Sequence, residues 1–322
     1  MNKHMRLFAG FLISIFVLLV VGTISFSVGI SKNSKGNQSD DLDTSIRIGG
    51  NEVFQDENDL YGVRDENENT LVTADWVKLR FLSADYLAVF CTAESATDGE
   101  PFGVLDLNGN LVAPFVYQNV QVLFSTSFLA EFADEESYVL YDSNFQPISA
   151  VVWDSYTLSE TAITLINEND SFVYTNDEEK GLLLTDVRLQ RSINNTTITI
   201  TQEMDTGVDS ISADAWIYVA TQFQQMLNIM TNNDDAAVLE ITDEENADTI
   251  ASILVRENRT ILRIDRNATV IVTTEEGKSP ILTWQIDMNI RLADEGQKKQ
   301  MLIATMEQNQ NEVWIVTDVQ LQ

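Results

Sequence analysis

The feature that most constrains this chain is that it copies itself between about residues 60 and 200. Tyr61-Gly-Val-Arg-Asp-Glu-Asn-Glu-Asn-Thr-Leu-Val matches Phe102-Gly-Val-Leu-Asp-Leu-Asn-Gly-Asn-Leu-Val at an offset of 41 residues, which sets Asp65, Asn67 and Asn69 on Asp106, Asn108 and Asn110. A third copy begins at Tyr138-Val-Leu-Tyr-Asp-Ser-Asn, and a degraded fourth at Phe172-Val-Tyr-Thr-Asn. Each copy runs from an aromatic strand into an Asp-x-Asn turn, where Asn and Gly accept the positive φ of a tight hairpin. Apolar runs then follow, such as Leu87-Ala-Val-Phe90 and Leu129-Ala-Glu-Phe132. Runs of this length between turn signals read as strands. A single copy cannot bury its apolar face alone, so neighbouring copies must stack. The pattern does not choose between an open stack and a closed propeller.

The second copy, Gly103-Val-Leu-Asp-Leu-Asn-Gly-Asn-Leu-Val-Ala-Pro-Phe-Val-Tyr with Phe128-Leu-Ala after it, resembles the bacterial WG-repeat pattern. The departures are specific. Tyr61-Gly62 and Phe102-Gly103 stand where that pattern has Trp-Gly, Glu68 replaces the turn glycine of the first copy, and Gln118 stands where Asp is expected. The resemblance implies an all-β repeat array of a kind common in exported or surface proteins, and it implies no shared catalytic residues.

Lys3, His4 and Arg6 precede an uncharged run, Leu7–Ser31, long enough to cross a hydrocarbon layer as a helix. A cleaved signal peptide is the rival reading, with Ser25-Phe26-Ser27 and Ser27-Val28-Gly29 as weak cleavage sites. The flanking cations hold the N-terminus inside. The expectation is therefore a single-pass signal anchor in the cell membrane, N-terminus cytoplasmic and body extracytoplasmic. The expected domains are 1–31 tail and anchor, 32–55 polar spacer, 56–204 WG-like β-repeat domain and 205–322 α+β domain.

Composition removes whole classes of function. With 50 acidic and 19 basic residues the net charge is −31, which repels phosphate backbones and makes nucleic acid an improbable partner. The one cysteine, Cys91, excludes an intramolecular disulfide and paired-cysteine zinc sites. The one histidine, His4, precedes the apolar run, so the body has no histidine for a catalytic triad, zinc or haem.

Beyond residue 205 the pattern changes. Trp216, Val219, Ala220, Phe223, Met226, Leu227 and Met230 follow the spacing of an amphipathic helix, with Ser212 or Asp209 to cap it. Thr242-Asp-Glu-Glu245 reads as a capping box for a second helix. Period-two faces follow, Trp284 to Leu292 and Val313, Ile315, Thr317, Val319, Leu321. The predicted fold class is thus a transmembrane helix, an all-β domain of stacked hairpins, and an α+β domain with two helices on an antiparallel sheet. The last resembles NTF2-like (cystatin-like cone) folds, a likeness of architecture that names no function.

No catalytic residue, metal ligand or cofactor is predicted. The candidate ligand contacts are the recurring aromatics Trp76, Tyr117 and Trp153 and the local cations Arg256, Arg259, Arg263 and Arg266. For both groups a structural role, in the core or in cross-strand ion pairs, is the more economical expectation. Acidic triplets at Asp134, Asp177 and Asp243 suggest at most weak Ca²⁺ binding. The expected partners are a lipid bilayer through Leu7–Ser31 and a protein or envelope polymer. The expected function is non-enzymatic binding through the repeat surface. A scaffold subunit oligomerising through the C-terminal domain and an enzyme of unknown type are the alternatives.

Overall fold

A computed structural model describes residues 47–92, 101–124, 126–202, 210–293 and 295–322. The chain divides into two compact units, one ending at Trp153 and one beginning at Asp154.

The first unit is a meander of nine antiparallel strands, each paired with its neighbours in sequence. After β1 (Arg47–Ile48) and β2 (Asn51–Gln55) come β3 (Tyr61–Arg64), β4 (Thr70–Phe81) and β5 (Tyr86–Thr92). The same short, long, medium pattern recurs in β6 (Phe102–Asp106), β7 (Leu111–Leu123) and β8 (Ser127–Phe132), before β9 (Tyr138–Tyr141) ends the sheet. The pairing also recurs. Tyr61 faces Trp76, Phe102 faces Tyr117, and an isolated bridge sets Tyr138 opposite Trp153.

The hairpin ends share one chemical device. Asp65 Oδ1 accepts the backbone N–H groups of Asn67 and Asn69, both at 2.8 Å. Asp106 accepts those of Asn108 at 2.9 Å and Asn110 at 2.8 Å, and Asp142 those of Asn144 at 2.9 Å and Gln146 at 2.8 Å. Three residues after each Asp the chain enters the left-handed region, at Glu68 (φ 64°), Gly109 (φ 79°) and Phe145 (φ 58°). The carboxylate thus fixes a turn whose tightest position only Gly occupies without strain.

The glycine of each aromatic-Gly-Val strand has a separate cause. Three residues of β3, Tyr61 to Val63, run against five of β4, Trp76 to Val72, and Phe102 to Val104 likewise run against Tyr117 to Ala113. The long strand bulges there and its backbone crowds the short one. A Cβ on Gly62 would lie 2.6 Å from the Val72 carbonyl oxygen and 2.9 Å from the Ala74 nitrogen. Alternate residues of β5 and β6 bury on opposite faces: Ala88 and Val104 join a cluster with Tyr117, Phe128 and Phe145, while Leu87, Val89 and Leu105 join one with Val63 and Leu79. Burial on both faces accounts for the unbroken apolar runs of these strands.

The second unit is also nine-stranded. It begins with β10 (Ser155–Leu158), β11 (Ala162–Asn167), β12 (Asp170–Asp177), β13 (Gly181–Ile193) and β14 (Thr196–Gln202). Helix α1 (Ala213–Asn232), a 3-10 turn (Asp235–Glu240) and helix α2 (Glu244–Leu254) follow, then β15 (Arg259–Thr273), β16 (Ile281–Leu292), β17 (Gly296–Gln308) and β18 (Trp314–Leu321). All pairs are antiparallel except β14 with β15, which run parallel at Thr199–Gln202 against Asn267–Val270. Helix α1 packs on both β13 and β18, so the sheet curves around it. Trp216, Val219, Phe223, Met226 and Leu227 fill that concavity, with Phe223 stacked on Trp284 at 4.8 Å. Arg191 of β13 donates to both oxygens of Asp170 at 2.9 Å and to the Ile217 carbonyl at 3.2 Å, tying helix to sheet.

Several expectations are corrected. The fold is not a repeat domain followed by a two-helix α+β domain. Five strands precede the helices in one continuous nine-stranded sheet, because the parallel β14–β15 ladder joins them to the later four. The division falls at Trp153/Asp154 rather than near residue 204, and the expected fourth copy at Phe172 is β12 of the second unit. No helix among the described residues is long and apolar enough to cross a membrane. The expected anchor Leu7–Ser31 lies outside the described residues, and the single-pass membrane assignment, its topology and the bilayer as partner are withdrawn. Asp209 also lies outside them, and Ser212 occupies the α1 N-cap without a side-chain hydrogen bond. The α2 cap is Asp243, which accepts the Asn246 N–H at 3.0 Å; Thr242 donates instead to the Val316 carbonyl at 2.6 Å. On β18 the buried residues are Trp314, Val316 and Val319, because a bulge opposite Thr305/Met306 shifts the phase that strict alternation assumes.

Candidate functional site

The three recurring aromatics do not share one environment. Tyr117 is 3% exposed and Trp153 fully buried, so both belong to the core. Trp76 is half-buried and stacks on Phe115 with ring centres 5.9 Å apart and planes 17° apart.

Phe115 belongs to the bulge of β7. Five residues there, Ala113 to Tyr117, run against three, Phe102 to Val104, which lifts Pro114, Phe115 and Val116 out of the regular ladder. Pro114 costs no hydrogen bond at such a place. The whole of β7, Leu111–Leu123, carries no charged residue, in a chain with 69 charged residues among 322. It leaves Leu111 53%, Val116 36% and Val122 39% exposed. The same bulge in β4 presents Thr73, Ala74 and Asp75, with the Thr73 hydroxyl donating to Asp75 at 2.5 Å. The same strand register therefore exposes Thr73 and Asp75 in one copy and Pro114 and Val116 in the next. Phe115 and Trp76 pack against the core cluster of Val63 and Leu105, so folding accounts for the stack but not for the exposed Pro114 and Val116. Sequence spacing flagged Trp76 but missed its partner; the uncharged run from Leu111 to Leu123 was the signal available.

The four predicted arginines separate as well. Arg259 is 5% exposed and donates to the last carbonyls of α2, to Ile253 at 2.7 Å and to Leu254. A cation there suits the negative end of the helix dipole. Burial lowers its pKa to about 10, with the nearby Arg256 charge adding to the effect. Arg256, Arg263 and Arg266 are exposed, and none of the four forms an ion pair with a described carboxylate within 4.0 Å, contrary to the cross-strand pairs expected. Arg266 borders an open depression of about 270 Å³ with Asn195, Thr196 and Thr197.

A second open depression, of about 400 Å³, includes Asp243, Glu307, Ile315 and Thr317. Two of the acidic triplets serve local structure. Asp177 accepts the N–H groups of Glu179 and Lys180, which hold its carboxyl below the usual range, and Asp243 caps α2. No group of three or more His, Cys, Asp or Glu side chains that could hold a metal ion occurs among the described residues. Burial raises the pKa of Asp170 despite the Arg191 charge beside it.

No protein-family model matches the chain. No curated protein is similar to it. Two solved structures are similar over most of their length: Kluyveromyces lactis Hsv2, 9% identical with a TM-score of 0.24, and KlHsv2 with loop 6CD replaced by a Gly-Ser linker, 8% identical with a TM-score of 0.23. Each comparison covers 85% of this chain and 94% of the other. At TM-scores this low the likeness carries nothing for this chain.

Proposed function

We propose that this protein is a non-enzymatic binding protein and that its first unit docks a protein partner through the β7 bulge. The observation that supports this is the contrast between equivalent bulges, Thr73-Ala-Asp75 in β4 and Pro114-Phe-Val116 in β7, in the same strand register. Pro114 and Val116 are exposed, and the half-buried Trp76–Phe115 stack forms the floor beside them. An apolar centre with few charges is the composition of an interface core. The WG-repeat likeness fits the reading, because repeated scaffolds vary surface chemistry from copy to copy.

The test is affinity capture with the wild type and with Val116→Asp, followed by reconstitution with each purified protein recovered. The expected result is at least a tenfold weaker Kd for the variant at unchanged thermal stability. Equal binding by both would overturn the reading. Binding of an extended polymer, with no protein recovered in a Val116-dependent way, would assign the surface to that other class.

A further inference from the structure

The outer face of the β15–β18 sheet has a pattern of its own. Helix α1 occupies the opposite face, where Phe223 stacks on Trp284, and Leu282, Ile286, Leu302 and Ala304 are buried with it. On the outer face one row of paired residues runs Thr269, Gln285, Ile303, Gln320, and the next runs Ile271, Thr283, Thr305 and, at the β18 edge, Asp318. These residues of β15, β16 and β17 are all half-buried, and none is charged. Charges gather toward the two ends of the strands with opposite net sign. Each end also holds an ion pair of its own, Lys298 with Glu295 at one and Lys278 with Glu275 at the other. One end carries Arg263, Arg291 and Lys299, with Arg263 and Lys299 both paired to Asn289. Asp287 moderates that end through its ion pair with Lys299. The other end carries Glu307, beside the depression that Asp243 also lines, and the turn with Glu275 and Glu276.

We propose that this face is the interface of a two-fold homodimer. A two-fold axis lying in the interface and running across the strands, along the Gln285–Ile303 row, reverses strand direction and keeps each strand over its own counterpart. It therefore sets the cationic end of one copy on the anionic end of the other. Lys299 and Glu307 stand four residues either side of Ile303 on β17, so the operation brings Lys299 of each copy to Glu307 of its mate. Arg263, level with Asn289, comes over Thr273, two residues short of the Glu275–Glu276 turn. An isologous contact needs such self-complementarity, and a face of one sign could not supply it. A centre uncharged on β15, β16 and β17, with Asp318 at its β18 edge and charges at the strand ends, has the anatomy of a protein interface. Four strands about 4.8 Å apart over about nine residues of about 3.4 Å present roughly 600 Å² per copy. The pair would bury roughly 1,200 Å², within the range of specific interfaces.

Light-scattering mass measurement on the full-length chain tests this at physiological salt, where the −31 charge of each copy is screened beyond about 8 Å. The expected mass is twice 36.1 kDa. Glu307→Lys and Lys299→Glu should each weaken the dimer by tenfold or more, and the double reversal should restore it. Ile303→Asp, which sets like charges together on the axis at a half-buried surface position, should give the single-chain mass. A wild type of single-chain mass at micromolar concentration would overturn the proposal. So would a dimer indifferent to Ile303→Asp, or one the double reversal fails to restore.

Discussion

The phenol oxygens of Tyr117 and Tyr141 lie 2.5 Å apart inside the first unit, with 3% and 7% of the residues exposed. Burial raises the pKa of both phenols, and in Tyr117 the hydrogen bond offsets part of that rise. Each hydroxyl is the partner the other has in place of water. Tyr117→Phe or Tyr141→Phe alone strands one buried oxygen and should cost about 1–2 kcal/mol. The double substitution should cost less than the sum of the two. A urea-unfolding double-mutant cycle measures the difference.

The two strand glycines should differ in cost. At Gly62 an added Cβ meets backbone atoms at 2.6 and 2.9 Å, which cannot move without opening the β3–β4 pair. At Gly103 the nearest atoms are the Phe115 ring at 3.1 Å and the Ala113 oxygen at 3.2 Å. Gly62→Ala should destabilise by about 2–3 kcal/mol and Gly103→Ala by about 1 kcal/mol or less. Denaturant midpoints at unchanged slope are the readout.

The turns make a prediction of opposite sign. Glu68 and Gly109 hold the same left-handed position, at φ 64° and 79°. Gly109→Ala should lose about 1 kcal/mol, and Glu68→Gly should gain a little less, since Gly gives back part through its unfolded chain. Thermal midpoints moving in the same direction for both variants would contradict the assignment.

Acid should loosen the first unit through its turn aspartates. Asp65 is held below the ordinary value of 3.8 by the Asn69 side chain and by backbone N–H groups. In Asp106 burial pushes upward, but the Asn110 and Asn108 hydrogen bonds outweigh it and the net shift is again downward. A depressed folded-state pKa contributes stability above the unfolded value of 3.8, lost as pH falls through the lower folded value. Asp106→Asn keeps an oxygen acceptor for the turn but does not titrate. Its melting temperature should lie below the wild type near neutrality, because the charged acceptor and the Oδ2 bond from Asn110 are lost, and the gap should narrow below about pH 4. Parallel curves would show that Asp106 takes no part.

Local chemistry was legible in the sequence and long-range pairing was not. Asp65, Asp106 and their Asn partners announced the hairpins because a turn is decided within five residues. The helix through Trp216 and Phe223 was legible because its period lies within one element. The bulges were not, since a bulge is a relation between two strands; their one trace was the glycine of each aromatic-Gly-Val strand. The same blindness misplaced the buried face of β18 ahead of its bulge, at Trp314 and Val316, and hid the pairing of Asp170 with Arg191, 21 residues on. It also placed the domain boundary near residue 204, since nothing local marks that Thr199 will lie beside Asn267. At the candidate site Trp76 was found by recurrence. Phe115 was missed because the contrast that singles it out requires aligned backbones.

The parallel ladder of Thr199–Gln202 with Asn267–Val270 has a consequence for how the chain comes together. Every other pairing in the second unit joins strands adjacent in sequence and closes through a short turn. This one closes a loop of 68 residues, from Thr199 to Asn267, around two helices, and its entropy is lost before the ladder repays it. Loop-closure entropy therefore predicts that the hairpins on either side form first and that this seam is the slow step of folding. Until β15 arrives, β14 presents a row of unmet backbone groups, and a nascent or truncated chain ending short of Asn267 is most open to wrong association there.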